Sequence, residues 1–487
     1  MSGGALLVLS LAVPTAGALV VRLLDRWPNV REAATLVTAG GLFAVVLRIW
    51  EAVTAGAPPR VTLVETIPGI PLALEAEPLG VLFALVASFL WIVTSVYSIG
   101  YMRGHHEENQ TRFYLFFALA LASAMGVAFA ANLFTLFVFY EVLTLSTFPL
   151  VTHHGTEEAK RAGRVYLGIL IGTSIGLQLL AIVWTWALTG TLDFRAGGIL
   201  SGAASPGAVA VLLALYVFGI GKAAVMPFHR WLPAAMVAPT PVSALLHAVA
   251  VVKAGVFAVL KVVVYVFGID LLTELGSSTW LMYVAGATIL LASLVAFTKD
   301  NLKARLAYST ISQLSYIVLG AVLANAAGII GGGMHIAMHA FGKITLFFGA
   351  GAIMVASHKT EISEMRGLGR TMPFTFLAFL VGTLSIIGVP PAGGLWSKWY
   401  LGLGALEAGQ LALLATLMIS SLLNIGYLLV IPIRAFFLPP DEPPEHDGIH
   451  EAPLPTLIAM GITAAGTIFL FLRPEPFYRL MAMVVGS

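Results

Sequence analysis

Eight residues of this chain combine an ionisable side chain with an apolar neighbourhood. The stretch HIAMHAFGK, residues 335–343, places His335, His339 and Lys343 at i, i+4 and i+8, on one face of a helix. GIIGGGM precedes it and ITLFFGAGAIMVA follows, and both are apolar. Glu141 sits in the middle of NLFTLFVFYEVLTLSTFPLV, Lys222 ends ALYVFGIGK, His247 and Lys253 lie in SALLHAVAVVKAGVF, and Lys398 follows the proline-rich GVPPAGGLWS. The set holds one acid, four lysines and three histidines. The chemistry such a set could do is proton transfer; the plainer reading is a polar network that only holds helices together. A lysine stripped of water tends to lose its proton, and a nearby carboxylate restores the charged form. Histidine titrates near neutral pH and passes protons through water.

The elements that position these residues are membrane helices. Of the 487 residues 59% are hydrophobic and 10% charged, against about 25% charged in an average soluble protein, and the mean hydropathy is +0.94. A charge at the centre of a spanning helix costs at least about 2.5–3.5 kcal/mol, so each of the eight needs a reason to be there. The net charge of +2 gives no support for nucleic-acid binding. With no cysteine, disulfides, thiolate metal sites and cysteine-held iron–sulfur clusters are excluded from this chain.

Length and interruption mark about fourteen apolar segments, at roughly 3–24, 33–52, 78–102, 113–130, 131–152, 163–189, 207–226, 240–267, 279–298, 304–324, 327–356, 373–400, 409–433 and 454–472. The chain is therefore expected to be an all-α polytopic membrane protein. The N-terminal run lacks a basic region before it and reads as a first span rather than a cleaved signal. PRVTLVETIPGIPLALEAEP alternates apolar and polar residues and predicts a short hairpin outside the membrane. EPFYRLMAMVVGS at the end is too short to span. With the N-terminus outside, fifteen Lys and Arg fall in loops on the inner side, against four (Arg60, Arg195, Arg473 and Arg479) outside. Both termini are thus expected on the outer side of a prokaryotic inner (cytoplasmic) membrane.

Two helices read as broken: GIGKAAVMPFHRWLPAAMVAPTPVSALLH, 219–247, and SIIGVPPAGGLWSKWYL, 385–401. Proline removes a backbone donor and clashes with the preceding turn. Each break lies beside a lysine, and two such breaks suggest the halves of an internal repeat with an ion site near the midplane. Lys261, two turns beyond Lys253, reads as a snorkelling residue outside the path, as do Arg22 and Arg48. RGHHEENQTR, 103–112, and HHGTEEAKRAGR, 153–164, look like metal clusters but read as solvated loops, having no ligands spaced on one helical face. HExxH, GxGxxG and GxxxxGK[ST] are absent, so no metal or cofactor and no catalytic site of its own is expected.

Four stretches carry a family resemblance: PFHRWLPAAMVAPTPVSALLHAVAVVKAG (227–255), FTKDNLKARLAYSTISQLSYI (297–317), MHIAMHAFGKITLFFGAG (334–351) and GVPPAGGLWSKWYL (388–401). The chain resembles, from about Glu77 to about Phe437, the antiporter-like subunits shared by respiratory complex I and Mrp-type multisubunit cation/proton antiporters. That resemblance implies fourteen core helices, with two inverted five-helix repeats at helices 4–8 and 9–13 and discontinuous helices 7 and 12. It divides the chain into helices 1–3 with the hairpin (1–112), a first repeat (113–268), a second repeat (279–438) and helix 14 with the tail (454–487). It also implies that Glu141 pairs with Lys222, that His247 and Lys253 serve the relay in helix 8, that His335, His339 and Lys343 serve it in helix 11, and that Lys398 ends it. The partners implied are other integral membrane subunits, a related antiporter-like chain among them, with protons and Na+ as the ions moved. The close of the chain soon after the last span is unlike the largest members, which carry a further lateral helix. The competing readings are a redox-driven pump subunit, a stand-alone solute symporter and a membrane scaffold.

Overall fold

The computed structural model of the chain describes residues 2–440 and 448–486. It opens with two long helices, α1 (Gly3–Leu23) and α2 (Pro28–Thr54). An antiparallel hairpin follows, β1 (Arg60–Ile67) and β2 (Ile70–Glu75), paired from Arg60↔Glu75 to Ile67↔Ile70. This is the hairpin that the alternating segment predicts. The next spans are α3 (Pro78–Gly104), α4 (Gln110–Ala128), α5 (Leu133–Val151) and α6 (Glu157–Thr189). After α7 (Pro206–Gly219) and a long break come α8 (Thr240–Phe267), α9 (Thr279–Thr298), α10 (Leu302–Val322) and α11 (Ala326–Ser357). The second interrupted helix is α12 (Pro373–Ile387) and α13 (Gly394–Glu407), followed by α14 (Leu411–Phe437), α15 (Leu454–Leu472) and the short α16 (Glu475–Val485).

Among the described residues, eleven helices are long and apolar enough to cross a membrane. The three other expected spans fall short of that measure for visible reasons. α7 and α12 are cut to 14 and 15 residues by their breaks. α10 has the length but carries Ser309, Ser312, Gln313 and Ser315.

Two helices form the centre. Every residue of α8 is buried, and α11 is buried from Ala327 to Ile353. A helix apolar all round is one surrounded by protein or lipid. Here the surround includes α3, α10, α13 and α15, so the polar residues of α8 and α11 meet side chains rather than acyl chains.

Both breaks occur where proline and glycine crowd the sequence. α7 stops at Gly219, and one tight turn, Gly221–Ala223, carries Lys222 before Ala224 takes a left-handed conformation at φ 54°. The freed backbone is satisfied locally. Trp231 Nε1 donates to the Gly221 carbonyl at 3.0 Å, and the Lys222 N–H donates to the Tyr140 hydroxyl at 3.1 Å. α12 stops at Ile387, with Gly388 at φ 88°. Its last carbonyls, Ile386 and Ile387, both accept from Lys398 Nζ, at 2.7 and 3.0 Å.

Close approach then fixes the lysines. A methyl on Gly255 of α8 would lie 2.4 Å from the Lys222 carbonyl carbon, and one on Gly394 would lie 1.9 Å from the Ser385 carbonyl oxygen. Only hydrogen fits at either point. Gly255→Ala is therefore expected to push α8 off the break and cost about 1–3 kcal/mol. A thermal unfolding midpoint for the purified variant no lower than that of the parent protein would contradict this packing.

Candidate functional site

The structure joins four of the singled-out residues in one line of direct contacts. Lys253 Nζ, on α8, hydrogen-bonds His339 Nδ1, on α11. The His339 and His335 rings stack with centroids 5.7 Å apart. His335 stacks in turn on Tyr316 of α10 at 5.6 Å, and its Nδ1 lies 2.8 Å from Ser397 Oγ. Lys398 Nζ then sits 4.9 Å from the centre of the Tyr316 ring. The helical spacing of His335 and His339 makes this possible, because it keeps both rings on the face of α11 that these partners share.

Lys343 reaches the same end by another route. Its Nζ donates to Ser309 Oγ at 2.7 Å, and the Tyr427 hydroxyl lies 3.1 Å from the same oxygen. Tyr427 also hydrogen-bonds Asn424 Oδ1, and Asn424 Nδ2 donates to the Ile386 carbonyl at 3.4 Å, the group that Lys398 holds. Ser309, Tyr316, Ser397, Asn424 and Tyr427 are contacts of these residues that sequence reasoning does not single out. The available signal is a polar residue inside an apolar run, as in SSLLNIGY, which is weak when taken alone.

The four lysines differ in how well their ammonium groups are met. An ammonium has three donors. Lys398 uses all three, on Ile386, Ile387 and, at 3.1 Å, Ser421 Oγ. Lys222 donates to the Tyr140 carbonyl at 2.9 Å and Thr144 Oγ1 at 2.5 Å, with the Tyr140 ring centre 3.2 Å away. Lys253 and Lys343, at the centre, have one side-chain partner each. The outer members are anchored by backbone oxygen and the inner ones by groups that can themselves exchange protons. His247 stands apart: its ring packs on Phe347 at 4.6 Å, and neither nitrogen has a hydrogen-bond partner.

Two sequence expectations are corrected. Glu141 and Lys222 do not form an ion pair within 4 Å. The Lys222 ammonium goes to the residue before Glu141 and to Thr144 on the same helix, while Glu141 Oε1 has no partner. Lys261 does not snorkel. It is fully buried and pairs with Glu77 at 3.1 Å, and the Tyr265 hydroxyl donates to the other Glu77 oxygen at 2.9 Å. Glu77 also caps α3, accepting from the Leu79 and Gly80 N–H groups. Arg22 and Arg48 are exposed, as expected, and form ion pairs with Asp25 and Glu51.

The two histidine-rich loops are not independent either. Glu107, 6% exposed, gathers His105 Nδ1 at 3.1 Å and His154 Nε2 at 3.3 Å. With Lys303, Thr240 and Tyr101 these residues line a cavity of about 240 Å³ against the start of α8. No group of metal-ligating residues able to hold a metal ion occurs among the described residues.

These features define an integral, multi-pass membrane protein with a row of ionisable side chains through its middle. The chain belongs to the NADH:quinone oxidoreductase/Mrp antiporter transmembrane family, which residues 130–424 match. NADH-quinone oxidoreductase subunit N of Desulforudis audaxviator (strain MP104C) is 34% identical over 434 residues, covering 87% of this chain and 84% of that one. Hydrogenase-4 component B of Escherichia coli (strain K12) is 33% identical over 346 residues, 68% of this chain but only 50% of the relative, so the chain spans about half its length. In fold, the chain matches one in the Mrp complex from Dietzia sp. DQ12-45-1b with a TM-score of 0.87 at 23% identity, covering 99% of this chain and 97% of that one. It matches one in the membrane-bound sulfane sulfur reductase, an archaeal respiratory membrane complex, at 0.86 and 25% identity over the same shares. It is thus an antiporter-like membrane subunit of the Mrp or complex I type.

The loop clasp at Glu107 carries a pH dependence. Burial opposes the charge on Glu107, but the hydrogen bond and charge of His154, with His105 and His153, outweigh it and hold the carboxyl below its ordinary value. The Glu107 hydrogen bond raises His154, against burial. Burial, then Arg112, lowers His153. A raised histidine stabilises below its unfolded pKa and loses that contribution as pH rises through its folded one. A lowered carboxyl stabilises above its unfolded pKa and loses that contribution as pH falls through its folded one. The Glu107–His154 pair therefore contributes most between the ordinary values of 4.5 and 6.5, a window in which the lowered His153 works against it. Hydrogen exchange of residues 103–112 and 153–156, corrected for intrinsic rates, should speed up as pH rises past His154. Glu107→Gln should flatten that profile, and a profile unchanged by it would refute the clasp.

Proposed function

We propose that the chain translocates protons across the membrane as one subunit of a larger membrane complex, through a relay of Glu141, Lys222, His247, Lys253, His335, His339, Lys343 and Lys398. The observation behind this reading is the unbroken line Lys253, His339, His335, Tyr316, Lys398 inside the helix bundle. A scaffold would have no use for so many titratable groups at that depth, given their cost. In this scheme protons arrive near Lys222, pass to Lys253 with His247 alongside, cross α11 through its histidines and Lys343, and leave beside Lys398. Glu141 acts on Lys222 across the α5 surface rather than by contact, so a neighbouring subunit that moves Glu141 changes the affinity of Lys222 for its proton. The relay divides between two inverted repeats, 113–268 and 279–438, flanked by 1–112 and 454–487. Both termini lie on the outer side of a prokaryotic cytoplasmic membrane.

The ion exchanged for protons is taken to be Na+, carried by a path in a partner subunit, because no all-carboxylate cage occurs on these helices. The WSKW at 396–399 resembles the smaller antiporter-like chain of Mrp antiporters and supports this reading. A second reading, a proton-pumping subunit of a redox-driven complex, is favoured by the 34% identity to NADH-quinone oxidoreductase subunit N.

The test uses everted vesicles carrying the whole native complex. A proton gradient is imposed, Na+ is added, and dequenching of a pH dye is followed. Sodium-dependent proton release is expected, lost in Glu141→Gln and reduced about a hundredfold in Lys222→Ala and Lys253→Ala, the scale of a missing proton-transfer group. Undiminished transport in both lysine variants would overturn the relay. No sodium response from an assembled complex that acidifies vesicles on addition of an electron donor would select the second reading.

A further inference from the structure

The arginine-rich end of the bundle holds a second, larger cavity of about 960 Å³, separate from the relay. Four arginines line it: Arg22 late in α1, Arg31 in the first turns of α2, Arg103 at the end of α3 and Arg112 in the first turn of α4. Two acids line it as well, Asp25 and Glu107. Glu107 is committed to His105 and His154, and Glu32 behind the cavity is held by Arg103 at 2.5 Å. Asp25 lies 3.6 Å from Arg22.

The arginines retain donors. Arg31, 5% exposed, forms an ion pair with Glu32 at 3.5 Å and gives its terminal nitrogens to Thr111 Oγ1 at 2.8 Å and Gln110 Oε1 at 3.1 Å, yet its Nε has no partner. Arg112 donates to the His153 carbonyl at 2.5 Å and likewise leaves its buried Nε unpaired. Arg22 is 66% exposed. α2 and α4 both begin at this cavity, and neither has a side-chain hydrogen bond capping its first N–H groups. Helix starts favour anions. The lining also holds Leu115 and Phe116, and Leu23 and Trp27, next in the chain to the lining residues Arg22 and Pro28, are 78% and 59% exposed.

Guanidinium donors meeting an apolar strip with an interfacial tryptophan match a phosphodiester attached to acyl chains. We infer that this cavity binds the headgroup of an anionic phospholipid, with its chains lying along Leu23 and Trp27. Inorganic phosphate would satisfy the guanidinium donors but leave the apolar strip unused.

The assembled complex is stripped of lipid in mild detergent, resupplied with phosphatidylglycerol or phosphatidylcholine, and the retained lipid is counted by native mass spectrometry. The wild type should keep about one more phosphatidylglycerol per chain than Arg22→Gln/Arg112→Gln, with no such difference for phosphatidylcholine. Because Arg112 also holds a loop carbonyl, Arg22→Gln alone is the second variant and should lose part of the same lipid. Equal retention by wild type and both variants, or equal retention of the two lipids by the wild type, would overturn the site. So would a thermal midpoint raised as much by inorganic phosphate as by phosphatidylglycerol, which would mark a free-anion site. Absence of the lipid from the intact complex would mean that a partner chain fills the cavity, and would overturn it equally.

Discussion

A helix interrupted inside a membrane bundle leaves carbonyl oxygens without donors, and an ammonium group buried there has hydrogens without acceptors. Each is costly alone. This chain places the two deficits against each other at one of its two breaks. At the second break Lys398 closes the end of α12 by taking its last two carbonyls, in the position where a helix dipole favours a cation. At the first, Lys222 takes the Tyr140 carbonyl and Thr144 hydroxyl from α5, while Trp231 and the Tyr140 hydroxyl cover the broken backbone. Lys398 is thus a structural part of its break, which supplies two of its three acceptors, whereas Lys222 lies in its break but rests on α5.

From that constraint the rest of the centre follows. With the end lysines fixed, α8 and α11 must run between them, wholly inside protein, and Gly255 must be a glycine for α8 to come close enough to Lys222. The interior lysines, Lys253 and Lys343, have no broken helix to lean on. They rest on an imidazole and on a serine shared with a tyrosine. Their interactions are fewer and easier to rearrange than those at the ends. Under the proposed relay, a row whose ends are held firmly and whose middle is held lightly would let a group change protonation without changing the fold.

Much of this is legible in sequence, and the physical reason differs by residue. His335, His339 and Lys343 stand out because three ionisable groups at one helical spacing have no bland explanation in an apolar run. The breaks stand out because proline cannot continue a helix. The partners do not stand out. A serine, tyrosine or asparagine in a span is common enough that Ser309, Tyr427 and Asn424 carry no signal until the helices are assembled. Lys261 misleads because its partner, Glu77, belongs to another helix, and position along α8 alone suggests an interfacial residue. The family resemblance implies contact between Glu141 and Lys222. The contact goes instead to Tyr140 and Thr144, its neighbours on α5, a matter of which face of one helix meets the break. Hydropathy also merges the two halves of a broken helix, and it does not see that α10 owes its place to polar contacts.

α11 has 32 residues, about 48 Å of helix, against a hydrocarbon layer of about 30 Å. An isolated helix of that length would tilt until its ends matched the bilayer. α11 has no such freedom, because residues 327–353 touch protein on all sides. The depth of its two histidines and its lysine is therefore set by the surrounding helices and not by lipid. In a thinner or thicker membrane the outer helices adjust their tilt against the acyl chains, while the central row keeps its own spacing, as a ruler enclosed in the protein.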